Sequence, residues 1–243
     1  MADFGVFERQ LKGYIMEIVE FKGTRKLSGD LRWLVTKDDE DNNLATFIKA
    51  VLRVGTPYIY SPSQNETRLE RVFAYELYHL WSTQIEKCNK TTDNNNHKYI
   101  LNGEIGKNLS RFINPADNTI RYPDLVLHKS IDNPDNQGIV CEIKRDENCK
   151  KGGLQRDLDK LISFVCGPQN EYKFRFGVFL LVGNTISKIL YTLNEIGWTK
   201  RKRSKLEGTE RIFLAAYNAS LFQIVSLYDA LDKKEREQYL RLQ

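Results

Sequence analysis

An α/β fold with a mixed sheet is what this chain of 243 residues predicts, and three observations lead there. Its first third repeats apolar residues at helical spacing. Its middle carries three short segments rich in β-branched and aromatic residues, and its last part alternates helical and strand patterns. Helices, then three strands, then helix, strand, helix and strand indicate one sheet with parallel and antiparallel neighbours, flanked by helices.

The elements follow in order. Phe4, Phe7, Leu11, Ile15 and Ile18 define an amphipathic helix over Phe4 to Glu20. An acidic loop, Asp38-Asp39-Glu40-Asp41, precedes a second helix from Asn43 to Val54. The Pro- and Ser-containing break from Thr56 to Gln64 leads into a long helix, Asn65 to Lys87, and the Asn-rich stretch Asn89 to Lys98 reads as a loop. Strands are expected at Tyr99 to Ile105, Tyr122 to Lys129 and Ile139 to Lys144. Gly152-Gly153 opens a helix over Leu154 to Cys166, and the apolar run Phe174 to Val182 is a buried strand. A helix from Thr185 to Ile196, a strand from Arg211 to Tyr217 and a charged helix from Ser226 to Leu242 complete the chain. Residues 1–62 read as a helical extension packed on a domain of residues 63–243.

Composition narrows the function classes. Hydrophobic residues make up 41% and charged residues 28%, an ordinary profile for a water-soluble domain. The net charge of +5, from 37 basic and 32 acidic residues, permits a polyanionic partner without requiring one. The N-terminus shows no basic segment followed by an apolar run, and the longest apolar stretch, Phe176 to Val182, is too short to span a bilayer. A cytoplasmic protein with no membrane partner is expected. Cys88, Cys141, Cys149 and Cys166 form no CxxC pair, which fits reduced thiols. His79, His97 and His128 share no ligand spacing with one another or with the cysteines, so a zinc site has no support. Gly103 to Asn108 is not a phosphate-binding P-loop, and no Gly-x-Ser-x-Gly elbow occurs.

Two of the expected strands carry the chemistry. Tyr122-Pro123-Asp124-Leu125-Val126-Leu127 and Gly138-Ile139-Val140-Cys141-Glu142-Ile143-Lys144 each hold an acid where a core strand would hold an apolar residue. Alternation along the second strand puts Glu142 and Lys144 on one face, opposite Cys141 and Ile143. If the strands pair, Asp124 joins them, and such a group is costly in an apolar setting unless a cation or a reaction uses it. The long helix adds another acid. Leu69, Val72, Phe73, Leu77, Leu80 and Trp81 define its apolar face, with Glu76 near the centre and Glu70 near the edge. From the residues alone, a structural ion pair explains Glu76 equally well, and an ordinary salt bridge explains Lys144.

Pro123-Asp124 followed by Glu142-Ile143-Lys144 resembles the PD-(D/E)xK motif of the restriction-endonuclease-like nuclease superfamily. The resemblance extends over roughly residues 65 to 183. It includes a preceding helix with an inward Glu and the α-β-β-β-α-β order of that superfamily's core. It implies a metal-dependent nuclease that hydrolyses phosphodiester bonds, with DNA favoured over RNA and an endonuclease over an exonuclease. It also implies Mg²⁺ as cofactor, replaceable by Mn²⁺, on Asp124, Glu142, the Ile143 carbonyl and Glu76. If Glu76 points elsewhere, Glu70 or Glu104 is the next candidate. Lys144 would orient the attacking water and stabilise developing charge. Gln155, Lys150, Lys151 and the basic residues Arg201, Lys202 and Arg203 become candidates for nucleic-acid contacts. A catalytically silent binding or interaction module of the same fold is the alternative, and the N-terminal helices are compatible with homodimer formation.

Overall fold

Apolar side chains recurring along the strands of the described residues set the architecture. The computed structural model describes residues 19–22, 43–60, 66–90, 98–103, 113–114, 119–120, 123–129, 137–166, 174–198, 209–219 and 221–231. In chain order the strands are β1 (Val19–Lys22), β2 (Tyr99–Gly103), β3 (Ile113–Asn114), β4 (Thr119–Ile120), β5 (Leu125–Lys129), β6 (Gln137–Arg145), β7 (Phe174–Val182), β8 (Ile212–Tyr217) and β9 (Leu221–Ser226). The helices are α1 (Asn43–Val51), α2 (Glu66–Lys90), α3 (Lys151–Cys166), α4 (Ile186–Glu195) and α5 (Leu227–Leu231).

Seven of the strands form one sheet in the order β1-β9-β8-β7-β6-β5-β2, while β3 and β4 pair only with each other. β6, β7 and β8 are mutually parallel, and every other pairing in the sheet is antiparallel. The mixed α/β sheet expected from the sequence is therefore present. The two parallel joins are made through α3 and α4, as parallel neighbours require a crossover. β7 and β8 form the enclosed centre of the sheet: every residue of β8 is buried, and every residue of β7 except Arg175. Gly177 lets α3 lie close on β7: an added Cβ would sit 3.1 Å from Val165 Cγ2 and 3.5 Å from Leu161 Cβ.

Each face of the sheet has its own core. On one face α1 and α2 contribute Leu44, Phe47, Ile48, Phe73, Leu77 and Trp81, packed on Leu127, Cys141, Ile143, Val178 and Leu180. Phe47 and Trp81 meet edge to face at 5.1 Å between ring centres, and Trp81 Nε1 donates to Thr46 Oγ1 at 3.1 Å. On the other face α3, α4 and α5 bring Leu154, Leu158, Leu161, Ile189, Leu193 and Leu227 onto Val126, Val140, Phe179 and Leu181.

Some elements differ from expectation. The helix expected from Ser226 to Leu242 is preceded by strand β9, which the sequence reading omitted; Leu227–Leu231 is helical, and residues 232–243 lie outside the described residues. The turn that makes β9 is unobtrusive. Ala219 takes φ 69°, and Asn218 clamps the turn by accepting the Leu221 N–H on Oδ1 at 2.9 Å. No Asn-Gly or Asp-Gly pair marks it. Of the helix expected from Phe4 to Glu20, residues 4–18 lie outside the described residues, and its last two positions begin β1, an edge strand on β9. Replacing Trp81 by Ala empties a fully enclosed site under the sheet and leaves Thr46 without its donor. A loss of about 3–5 kcal/mol is expected, read as a lower urea midpoint, with Trp81→Phe losing less.

Candidate active site

The register of β5 on β6 brings the two acidic strand positions together. Leu125 pairs with Cys141, so Asp124 and Glu142 stand opposite each other one step beyond the ladder. Directly opposed residues share a face and lie within side-chain reach. Asp124 is tied in place by the backbone: Ile143 N–H donates to its Oδ2 at 2.7 Å. Along β6 the faces alternate as expected. Cys141 and Ile143 join the core under α1 and α2, and Val140 joins the core under α3 and α4, the side shared by Glu142 and Lys144.

Helix α3 supplies the counter-charges. Glu142 is 1% exposed, and Lys160 Nζ lies 2.7 Å from its Oε1. Lys160 Nζ also stands 3.7 Å from Asp157 Oδ1 on the preceding turn. Lys144 Nζ sits between Asp157 Oδ2 at 3.6 Å and Glu70 Oε1 at 3.5 Å, and donates to its neighbour's carbonyl, Ile143 O, at 3.1 Å. Glu70 comes from the first turns of α2 and reaches the end of β6, where its Oε2 accepts from Arg145 N–H at 3.3 Å and from Asn148 Nδ2 at 3.1 Å. Four carboxylates thus face two ammonium groups, an excess of two negative charges when all are ionised.

Burial governs the protonation of these groups. It pushes the Glu142 carboxyl well above the usual range, and the Asp124 charge pushes the same way while Lys160 opposes both. Asp124 is also raised, by burial first, against the lowering effects of Lys144 and the Ile143 N–H. For Lys144 burial alone would favour the neutral amine. The carboxylates of Asp124, Asp157, Glu70 and Glu142 outweigh it and hold the ammonium above the ordinary lysine value.

The cluster contains Asp124, Glu142, Ile143 and Lys144 together, as the paired strands suggested. Glu76 does not join it. The helix acid beside Lys144 is Glu70, and Glu76 is not among the principal charges acting on Asp124, Glu142 or Lys144. The reason is the true orientation of α2. Phe73, Leu77 and Trp81 are fully buried whereas Val72 is exposed, which turns the inward stripe toward Glu70, three residues before Phe73 and seven before Leu77. Gln155 is half-buried on α3 two residues before Asp157, a spacing that places the two on different faces. Lys150 is exposed, and Lys151 pairs with Glu195 at 3.1 Å. Glu104 and the basic run with Arg201, Lys202 and Arg203 lie outside the described residues. The sequence reading missed Asp157 and Lys160. A signal was present: Asp157 falls within the stripe Leu154, Leu158, Leu161 of α3, where an acid needs a partner.

Among the described residues no three His, Cys, Asp or Glu side chains form a ready metal-holding group. The donor set nonetheless suits a hard divalent ion, which takes one or two carboxylates and keeps several waters. Asp124, Glu142 and the Ile143 carbonyl are all oxygen donors. Glu142 Oε1 and Asp157 Oδ2 are buried with ammonium neighbours but no hydrogen bond of acceptable geometry. The excess of two negative charges is what such a cation would cancel. Comparison of the chain with protein-family models, curated proteins and solved structures finds no match.

A carboxyl raised by folding binds its proton more tightly in the native state, so its contribution to stability falls as pH rises from the unfolded value, about 4 for Glu, toward the raised native value. In metal-free protein Glu142→Gln therefore flattens the loss of stability as pH rises above the unfolded value. Urea midpoints measured across that range, wild type minus variant, give the comparison, and identical slopes would remove Glu142 as the cause.

Proposed function

We propose that this chain is a divalent-metal-dependent nuclease, an endonuclease acting on phosphodiester bonds with DNA as substrate. The observation that carries this reading is the placement of Asp124, the residue before β5, opposite Glu142 on β6, with Lys144 two residues on along the same face. With β3 and β4 set aside as a separate pair, the order α2, β2, β5, β6, α3, β7 supports the resemblance to PD-(D/E)xK nucleases noted from the sequence. The cluster also sits at the end of parallel strand β6, where α3 begins, the region in which open α/β sheets place their ligands.

Asp124 and Glu142, with the Ile143 carbonyl, would hold Mg²⁺, and Mn²⁺ in its place. When bound, such an ion polarises the scissile phosphate and lowers the pKa of a bound water. Asp124 keeps one oxygen on the Ile143 N–H and presents the other, so its orientation is set by the backbone. Lys144 is too strongly protonated to serve as a general base. Its ammonium is suited to orient the attacking water and to counter charge developing on the phosphate oxygens. Glu70 holds Lys144 from the side and, through Arg145 and Asn148, fixes the end of β6. Its role is therefore to position the lysine.

One observation favours the second reading, a catalytically silent nucleic-acid-binding or protein-interaction module: Lys160 already neutralises Glu142. Cleavage assays separate the two. On plasmid and linear DNA with Mg²⁺ or Mn²⁺, Asp124→Ala, Glu142→Ala and Lys144→Ala are each expected to lower the rate by about a hundredfold or more. Wild-type cleavage insensitive to all three would overturn the site, and RNA run in parallel identifies the substrate. Glu70→Gln is expected to cost about tenfold through the loosened lysine, while Glu76→Gln stays within about twofold. The reverse order would return the helix role to Glu76.

A further inference from the structure

Lys160 is the cation in this cluster that the nuclease reading does not use. It comes from α3, two turns beyond the strand-to-helix connection, yet its ammonium makes the shortest ionic contact of the cluster, 2.7 Å to Glu142 Oε1. Glu142 is fully enclosed, and an ionised carboxylate there needs a cation at contact distance. Lys144 does not fill that need. Its ammonium is anchored on Ile143 O and shared between Glu70 and Asp157.

We infer that Lys160 is a tethered stand-in for the divalent cation, holding Glu142 in the metal-free protein and withdrawing to Asp157 when metal binds. This inference rests on the metal site proposed above. The receiving group is already in place. Asp157 lies one turn earlier on the same helix, with Oδ1 3.7 Å from Lys160 Nζ. Its other oxygen, Oδ2, faces Lys144 Nζ at 3.6 Å, which leaves Oδ1 to receive Lys160. The transfer needs only rotation about the lysine's four-carbon stem, and no backbone element has to move. Glu142 keeps a positive neighbour throughout, so the buried acid is never left alone. In consequence the ammonium and the metal compete for one carboxylate. The site stays assembled without metal, and its metal affinity is lower than the carboxylates alone would give.

Calorimetric titration of the full chain with Mn²⁺ tests this, using wild type, Lys160→Met and Lys160→Arg. Lys160→Met is expected to bind Mn²⁺ about tenfold more tightly, the scale of one lost competing ion pair, and Lys160→Arg to stay near wild type. The metal-free Lys160→Met protein should melt below wild type and recover that loss in saturating Mn²⁺. Should Lys160→Met fail to fold, Lys160→Gln, which retains a hydrogen-bond donor, takes its place in the same titration. Unchanged or weaker Mn²⁺ binding by the variant overturns the inference and leaves the metal site standing. Absence of Mn²⁺ binding by every protein overturns the metal site and the inference together. General charge removal would also tighten binding, so a structure of the Mn²⁺-loaded wild type decides the location. Lys160 Nζ on Asp157 supports the exchange, and Lys160 Nζ still on Glu142 overturns it.

Discussion

A carboxylate buried on the inner strand β6 is the constraint around which this site is arranged. Glu142 has almost no contact with solvent, and burial drives its carboxyl toward the neutral form. In its ionised form an acid in that position persists in a folded protein only with a matching cation close by. Lys160 meets that need, Asp157 steadies Lys160, and Lys144 in turn bridges Asp157 and Glu70. Each ion pair is conditional on the next, so the cluster behaves as one electrostatic unit rather than as separate bridges.

The sheet makes that unit rigid. β6 lies between antiparallel β5 and parallel β7, so its backbone is fixed on both sides. The antiparallel side determines which residue faces Glu142, and the parallel side requires the crossover that delivers α3 and its charged face. On the opposite surface of the sheet, α2 packs by Phe73, Leu77 and Trp81, and that packing turns Glu70 toward the end of β6. Four elements from distant parts of the chain thus bring charge to one strand end. Such convergence suits metal-assisted chemistry, in which ligand orientation is worth as much as ligand identity.

Much of the fold was legible because its signals are local. The apolar run of β7 has the bounds read from the sequence, Phe174–Val182, and the long helix α2 falls within a few residues of its expected limits. β9 escaped because its turn at Ala219 lacks the usual residue pair and its pattern merges into the helix that follows. Among the site residues, Asp124, Glu142 and Lys144 were found by strand alternation, which depends only on a period of two. Periodicity points to Glu76 rather than Glu70 because Val72 and Leu80 fall on the apolar stripe of the helix, yet in the folded chain Val72 is exposed and Leu80 only half-buried.

By itself the sequence determined most of the helices and strands from α1 to β8, the mixed character of the sheet, and the two acids and lysine brought together by neighbouring strands. Periodicity and local geometry suffice for these, since each depends on residues a few positions apart. Only the tertiary structure decided which charges neutralise them. Lys160, Asp157 and Glu70 reach β6 through the angle at which α3 and α2 pack, and that angle is set by contacts among residues far apart in the chain. A change of one helical position redirects a side chain by about 100°, so a helix's place in the chain says little about which of its acids reaches the site.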